Sequence, residues 1–347
     1  MSISLYLAER ACLPDKIIRA GIRRLDKARL EQERKRAGQD LLAARQRYVD
    51  LLSKSPLALK VEKANEQHYE LPPEFFTRVL GSHLKYSSCF YETGLESLSE
   101  AERRALETTV ERAELADGMK ILELGCGWGS LTLYMARAFR HSRITGISNS
   151  NSQREYILGR ARAEGLTNVD IQTVDMNVLT EPGNFDRIVS VEMFEHMRNY
   201  KQLFARIATW LNPGGKVFAH IFCHKDHSYL FEEEGQNDWM GRYFFSGGMM
   251  PSQNLFHSFS DDLKIEAHWR WSGVHYQRTA EDWLRNLDRC RDELLPILAR
   301  VYGPDQSRLW LQRWRIFFMA CAELFGYACG EEWFVCHYRM IPASVVQ

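Results

Sequence analysis

Short apolar runs alternate with helical stretches along residues 120–225. Runs with the length and composition of buried strands lie at 121–124, 142–147, 170–174, 187–191 and 215–221. The apolar spacing between them predicts helices over 129–139, 152–164 and 200–211, and a turn is expected at 212–215. Because neighbouring parallel strands need crossover helices of this length, the pattern predicts an α/β fold with a mostly parallel sheet covered on both faces.

The alternation of predicted strands and helices stops on both sides of this region. Apolar residues at helical spacing over 14–59 predict a helical N-terminal arm (1–65), followed by a Rossmann-like core (66–225). Residues 226–347 begin with an aromatic and glycine-rich stretch, continue with a strand-like run at 268–271 and end in helices predicted over 280–302 and 306–325. An insertion this late in an α/β domain is typical of a substrate lid, here with a C-terminal cap that completes the sheet.

Charge and cysteine usage narrow the class of protein. Lys plus Arg and Asp plus Glu both number 45, which gives no reason to expect a nucleic-acid partner. Eight scattered cysteines favour a reducing compartment, and since no long apolar run occurs we expect a cytoplasmic protein. The arm is basic, with eleven basic and four acidic side chains over 16–47. We interpret this as a solvated helix face, with a membrane-docking surface as the alternative.

A glycine loop follows the first predicted strand. Gly125, Gly127 and Gly129 stand where a strand passes into a helix, so the backbone can approach a ligand and the helix N-terminus offers free amide groups. The G-x-G-x-G spacing differs from the G-x-G-x-x-G of pyrophosphate binders. With Glu123 two residues before the first glycine, the loop is typical of S-adenosylmethionine binding. The alternative is a tight turn without a ligand.

The ends of the next two predicted strands supply further cofactor-binding candidates. Asn149 and Gln153 carry amide groups that can bind ribose hydroxyls, although a carboxylate is more usual at that place. Asp175 can accept a hydrogen bond from the adenine amino group, and Met176 can pack against the ring. We therefore expect one cofactor site along the carboxyl edge of the sheet.

The fourth strand is followed by two carboxylates and a histidine. Methyl transfer from a sulfonium needs a free lone pair, so an amine substrate must lose its proton first. Glu192, Glu195 and His196 would share one face if a helical turn began at the first of them, where they could attract a cationic amine and exchange a proton. The alternative is a carboxylate at a helix start that pairs with the histidine for stability.

Several segments resemble a known family. Tyr86-Ser-Ser, the glycine-loop region, residues 146–153 and residues 191–200 resemble the cyclopropane fatty acid synthase superfamily of methyltransferases. Residues 242–252, 322–327 and 330–333 are more similar to its coclaurine N-methyltransferase-like branch. The likeness extends over about residues 69–337.

This resemblance implies a fold, a reaction and site residues. The fold is a seven-stranded, Rossmann-like S-adenosylmethionine methyltransferase core with a helical cap, and the reaction is methyl transfer to the nitrogen of a hydrophobic, aromatic, tetrahydroisoquinoline-like amine. It implies that Glu192, Glu195 and His196 hold the amine and assist loss of its proton. The cofactor contacts it implies are Tyr86, Ser87, Gly125, Asn149, Gln153, Asp175 and Met176.

The resemblance leaves a second enzymatic hypothesis open. Relatives that make cyclopropanes hold bicarbonate with a cysteine, a glutamate, a histidine and a tyrosine, and this chain has Glu195, His220 and Tyr276 at the matching places. Ser88 stands where the cysteine would be, which weakens lipid cyclopropanation. A third hypothesis is a regulatory protein that binds the cofactor without catalysis, which retention of the acidic cluster argues against.

Aromatic side chains and histidines complete the list of candidates. We expect Tyr229, Tyr243 and Trp333, with Ser88, His220 and Tyr276, to contribute to the substrate pocket. His220 and His224 share one face of a strand while Cys223 points to the other, so no metal site is expected. The sequence does not set the oligomeric state, and a homodimer stays open.

Overall fold

The computed structural model describes residues 3–58, 71–180, 182–231 and 239–343. The boundary predicted after residue 65 lies outside these ranges. The α-helices of the described residues are α1 (Ile3–Glu9), α2 (Asp15–Ala37), α3 (Leu41–Ser53), α4 (Pro73–Val79), α5 (Leu98–Arg112), α6 (Ser130–Ala138), α7 (Asn151–Ala163), α8 (Tyr200–Thr209), α9 (Trp239–Tyr243), α10 (Gly273–Arg289), α11 (Arg291–Tyr302) and α12 (Ser307–Gly326). The strands are β1 (Lys120–Leu124), β2 (Arg143–Ser148), β3 (Val169–Thr173), β4 (Phe185–Val191), β5 (Leu211–His224), β6 (Tyr229–Leu230), β7 (Met249–Met250), β8 (Leu263–Trp271) and β9 (Trp333–Pro342).

Seven of these strands form one sheet in the order β3-β2-β1-β4-β5-β9-β8. Strands β1 to β5 are parallel, whereas β9 runs antiparallel to both β5 and β8. The predicted α/β fold with a seven-stranded sheet completed by the C-terminal region is therefore confirmed. Since the carboxyl ends of the parallel strands meet at one edge, the loops after β1, β2, β3 and β4 converge there.

Two element boundaries differ from the predictions. The helix expected over 280–302 is divided at Cys290, which ends α10 and starts α11. No glycine or proline marks that break, and each of the two helices buries its own apolar residues. The turn expected at 212–215 lies within β5, where a register shift follows the pairing of Phe185 with Leu211. The chain turns there and still continues the ladder.

The N-terminal arm is helical, as predicted, and packs against the cap. Arg19 of α2 lies 2.6 Å from Glu281 of α10 and 2.9 Å from Glu323 of α12, and Arg23 also pairs with Glu323. Part of the positive charge of the arm is therefore neutralised inside the molecule. No helix among the described residues is long and apolar enough to cross a bilayer.

Helix α5 holds the loop that precedes it in place through hydrogen bonds. It begins with a capping box, in which Ser97 accepts from the Glu100 amide and Glu100 accepts from the Ser97 amide. One turn later the buried carboxylate of Glu102 accepts hydrogen bonds from the amides of residues 81, 83 and 85. These bonds fix the loop over 80–91, which carries Tyr86, Ser87 and Ser88 to the edge of the sheet.

Candidate functional site

The glycine loop after β1 forms the floor of a cleft at the carboxyl edge of the sheet. Gly127 has a φ of +50° and an added Cβ would meet nothing within 4 Å, so it faces open space in the cleft. A Cβ on Gly129 would come within 2.7 Å of Ile157 on α7, so Gly129 is required for helix packing and does not line the cleft. Gly125 lines it together with Gly127. The predicted loop is confirmed as a strand-to-helix turn with two glycines facing the cleft.

One half of the cleft extends along the ends of β2 and β3. Asn149, Gln153, Asp175 and Met176, all predicted from strand ends, line this half. The Gln153 side chain accepts from the Ser148 hydroxyl at 2.8 Å, while its buried amide nitrogen has no hydrogen-bond partner within the described residues. A buried donor of this kind needs an acceptor, which a ribose hydroxyl supplies. Polar and apolar groups here therefore fit an adenosine moiety.

The other half of the cleft lies between the glycine loop and the loop over 80–91. Tyr86, Ser87 and Glu123 line it, and it shares Gly125, Gly127 and Gln153 with the first half. Glu123 accepts a hydrogen bond from Thr132 and is fully buried, and burial raises the pKa of Glu123 to about 8. A ligand ammonium beside it would stabilise the ionised carboxylate. This half fits the amino-acid part of S-adenosylmethionine.

The Glu192 carboxylate is held by an amide, a hydroxyl and a histidine ring from separate segments. The Ser88 amide donates to Oε1 at 2.9 Å, the Tyr276 hydroxyl of α10 donates to Oε2 at 2.7 Å, and His220 Nε2 lies 3.1 Å from Oε1. Burial raises the pKa of Glu192, while the positive charge of Lys85 and the Tyr276 hydrogen bond lower it. The second lone pair of Oε2 remains for a cationic ligand.

The expected helical face through Glu192, Glu195 and His196 is wrong. Glu192 has a φ of +49°, and its amide donates to the His220 carbonyl at 2.8 Å, which prolongs the sheet by one residue. The helical turn begins two residues later, as a 3₁₀ helix over Phe194–His196. The left-handed backbone at Glu192 separates its side chain from the turn that follows.

Glu195 and His196 take different positions. Glu195 Oε1 accepts from the Phe222 amide at 2.7 Å, beyond the point where β4 ends, and Glu195 does not line either half of the cleft. Burial and the nearby Glu192 raise the pKa of Glu195, which favours its protonated form. His196 lines both halves and packs on Phe245 at 4.6 Å between ring centroids. Burial lowers the pKa of His196 to about 4, so its imidazole is neutral near pH 7.

The predicted substrate residues divide into two groups. Ser88, His220 and Tyr276 converge on Glu192, as described above. Tyr229 accepts a hydrogen bond from the indole of Trp333 at 2.9 Å, and Tyr243 lies beneath the guanidinium of Arg313 at 4.0 Å. These last three side chains do not line the cleft, because their polar groups are used within the cap.

Sequence reasoning missed Lys85, Arg112 and His337. Lys85 is buried, and its ammonium donates to the Ser87 hydroxyl and to the Ser88 carbonyl at 2.7 Å. It directly precedes the Tyr86-Ser-Ser segment, so its place in the sequence was a usable signal. His337 and Arg112 reach Glu192 only through other side chains, and no local pattern marks them.

A parallel sheet with a glycine loop after β1, and a cleft with adenosine and amino-acid halves, define a methyltransferase that uses S-adenosylmethionine. Residues 58–331 match the family model "Mycolic acid cyclopropane synthetase". The chain belongs to this family.

Relatives and solved structures agree with that assignment. The chain is 36% identical to (S)-coclaurine N-methyltransferase of Thalictrum flavum subsp. glaucum, over 95% of this chain and 92% of that protein. The crystal structure of coclaurine N-methyltransferase bound to N-methylheliamine and SAH superposes with a TM-score of 0.93 at 34% identity, covering 97% and 98% of the two chains. The cyclopropane synthase MmaA2 of Mycobacterium tuberculosis shares the fold, with a TM-score of 0.68, 19% identity and coverage of 82% and 99%. The chain is thus an S-adenosylmethionine-dependent N-methyltransferase.

Proposed function

We propose that this N-methyltransferase acts on a hydrophobic aromatic amine of the tetrahydroisoquinoline type in the cytoplasm. The observation that carries the proposal is the Glu192 carboxylate, buried at the cleft and held by the Ser88 amide, the Tyr276 hydroxyl and the His220 ring. A buried carboxylate with a spare lone pair is a strong partner for an ammonium. The names of the similar proteins, coclaurine and pavine N-methyltransferases among them, support an aromatic amine as the substrate.

Glu192 and His196 have complementary roles in this proposal. Glu192 attracts the protonated amine and orients its nitrogen toward the cleft. His196, a neutral imidazole in the cleft, accepts the proton and frees the nitrogen lone pair. Burial lowers the pKa of His196, whereas the negative charge of Glu192 acts to raise it and so stabilises the imidazolium that forms. Bound S-adenosylmethionine supplies the electrophilic methyl group. Phe245, whose ring packs at a tilt against His196, and Phe222, 5.6 Å from Phe245, offer aromatic surface to the substrate.

Glu195 acts by positioning the other two. Its carboxylate accepts a hydrogen bond from the Phe222 amide, a backbone group of β5 that lies beyond the last residue paired with β4. The 3₁₀ turn that carries His196 is thereby attached to β5. We therefore assign Glu195 a positioning role, whereas the sequence suggested direct participation in proton loss.

The geometry around Glu192 also argues against lipid cyclopropanation. The resemblance assigned His220 and Tyr276 to a bound bicarbonate in the cyclopropane-forming relatives. Here both side chains bind the Glu192 carboxylate. The Tyr276 hydroxyl and the His220 ring nitrogen that faces the cleft can each carry only one hydrogen. Because the Glu192 carboxylate already occupies both positions, neither group is left to bind a separate anion.

Labelled methyl transfer tests the proposal. Purified protein with methyl-labelled S-adenosylmethionine is offered a panel of tetrahydroisoquinolines, simple aliphatic amines and liposomes of unsaturated phospholipid. We expect label in the aryl-bearing amines. Label confined to liposomes would overturn the proposal, and equal label in small aliphatic amines would contradict the aromatic preference. Glu155→Gln, an exposed change on α7, serves as the control variant.

A further inference from the structure

A chain of hydrogen bonds connects the end of helix α5 to the cleft. Arg112 Nη1 lies 2.9 Å from His337 Nδ1, His337 Nε2 lies 2.9 Å from His220 Nδ1, and His220 Nε2 lies 3.1 Å from Glu192 Oε1. The two histidines are buried and face each other in the register of β5 and β9. Four side chains from four elements thus form one line that ends on the carboxylate.

Only the Arg112 end of this series of hydrogen bonds has a donor and an acceptor that are fixed by chemistry. A guanidinium carries donors and no acceptor, so His337 Nδ1 must accept from Arg112. Burial lowers the pKa of both histidines well below the usual value, so each carries a single ring proton. The proton of His337 is therefore on Nε2 and is donated to His220 Nδ1. That leaves the His220 proton on Nε2, directed at Glu192.

We propose that Arg112 and His337 are positioning residues that lock His220 as a hydrogen-bond donor to Glu192. The inference rests on the proposed function in one respect, namely that the donor keeps Glu192 ready to bind an ammonium. In the opposite tautomer, the His220 Nε2 lone pair would face Oε1 and would favour a protonated Glu192. A neutral Glu192 would lose most of its attraction for a cationic amine.

Arg112 is held in place independently of His337. Its guanidinium lies over the rings of Trp269 and Trp271, at 5.1 and 5.6 Å from their centroids. Arg112 lines neither half of the cleft, so a change there does not remove a cofactor or substrate contact. This separation allows the direction of the hydrogen bonds to be altered without touching the reacting groups.

Other groups that influence Glu192 stay constant in such a test. The titratable groups that interact with it from the surrounding elements, besides His220, are Lys85, Cys89, Glu195, His196, Tyr276 and Cys321. None of them is bonded to Arg112 or His337 in the hydrogen bonds described above. Arg112 also acts on both histidines through its charge, so variants at position 337, which change no charge, separate the direction of the hydrogen bonds from the loss of that charge.

The matched pair Arg112→Lys and Arg112→Met tests the lock. Lysine keeps an obligatory donor, whereas methionine keeps an unbranched, flexible side chain and removes the donor. Nitrogen-15 spectra of histidine-labelled protein report which ring nitrogen of His220 carries the proton, without any substrate. We expect the Nε2–H form in the native chain and in Arg112→Lys, and a mixture of tautomers in Arg112→Met. An Nδ1–H form in the native chain, or an unchanged spectrum in Arg112→Met, would overturn the proposal.

The pH dependence of turnover gives a second readout. A donor to the carboxylate lowers its pKa, so loss of the donor should move the acid limb of kcat/KM to higher pH. We expect at least a tenfold loss at a pH below that limb in Arg112→Met and His337→Met, with recovery on the alkaline side. Arg112→Lys and His337→Gln, whose side chains preserve the direction of donation, should resemble the native chain. Equal loss at every pH would indicate a merely structural effect and contradict the lock.

The two readouts also separate the lock from the proposed function. If no amine is methylated, the proposed function fails, while the tautomer of His220 still decides the inference. If amines are methylated and the tautomer does not respond to position 112, only the inference fails. Thermal unfolding of each variant identifies any that has not folded.

Discussion

The two ends of the cleft are built in different ways. The cofactor end takes most of its residues from short segments that directly follow β1, β2 and β3, while Tyr86 and Ser87 come from the loop over 80–91. The Glu192 end gathers the backbone amide of Ser88 and side chains from positions 192, 220, 276 and 337, which are far apart in the chain. The first end follows mainly from the sheet topology, whereas the second depends on the direction and partners of individual hydrogen bonds.

The ends also differ in electrostatics. Glycine backbone, neutral amides and apolar side chains dominate the cofactor end, although Glu123 adds a buried acid. The Glu192 end confines two carboxylates, a lysine and neutral histidines in a buried volume. Buried charges depend strongly on each partner, so single substitutions there should have larger effects on chemistry than on cofactor affinity.

The largest effect is expected from Glu192→Gln. The neutral amide cannot pair with an ammonium, so kcat/KM for the amine should fall by roughly 10²- to 10⁴-fold. Because Glu192 does not line the adenosine half, the affinity for S-adenosylhomocysteine should change by no more than a few fold. Calorimetric titration and initial rates measure the two quantities. A comparable loss of both would show that the two ends are not separable.

A smaller effect is expected from Gly127→Ala at the cofactor end. The added methyl group enters the cleft and also disfavours the left-handed backbone, so cofactor affinity should fall by about tenfold or more. Gly118→Ala is the matched control, since Gly118 has a φ of +87° and open space around it but does not line the cleft. It should lower the melting temperature and leave cofactor affinity unchanged. Equal loss of affinity in both variants would indicate a global effect.

Glu123→Gln should show a pH-dependent gain in stability without cofactor. Burial raises the pKa of Glu123 from 4.5 to about 8, so the folded chain holds the extra proton between these values. The stability it contributes is complete below pH 4.5 and is lost as the pH rises through about 8. The melting temperature of the variant should therefore equal that of the native chain at pH 5 and exceed it by a few degrees at pH 9. It should also bind the cofactor more weakly, and a gain of the same size at pH 5 would contradict this explanation.

The smallest effect is expected from Arg23→Gln in the arm, outside both ends of the cleft. The Arg23 side chain is about half exposed in its 2.7 Å pair with Glu323. Exposed ion pairs contribute about 0.2–1 kcal/mol, so the melting temperature should fall slightly and the difference should shrink in high salt. Initial rates should equal those of the native chain. A large loss of turnover would place the arm within the substrate site.

Sequence reasoning was most successful where local patterns decide the structure. Alternating strand and helix periods predicted the sheet, and positions just after strands predicted Gly125, Gly127, Asn149, Gln153 and Asp175 at one cleft. The reason is geometric, because parallel strands present their carboxyl ends at a common edge. The break at Cys290 escaped prediction because it depends on which faces of α10 and α11 are buried.

Only the tertiary structure decided what the carboxylates do. Glu192 and Glu195 are three residues apart and chemically alike. Glu192 nevertheless accepts hydrogen bonds at the cleft, whereas Glu195 accepts one from the Phe222 amide of β5. Likewise, Tyr229 and Trp333 satisfy each other in the cap. The sequence by itself determined the class of fold and the cofactor edge, which follow from periodicity. The partners of buried polar groups are set by long-range contacts that no local pattern records, and they determine the chemistry of the Glu192 end.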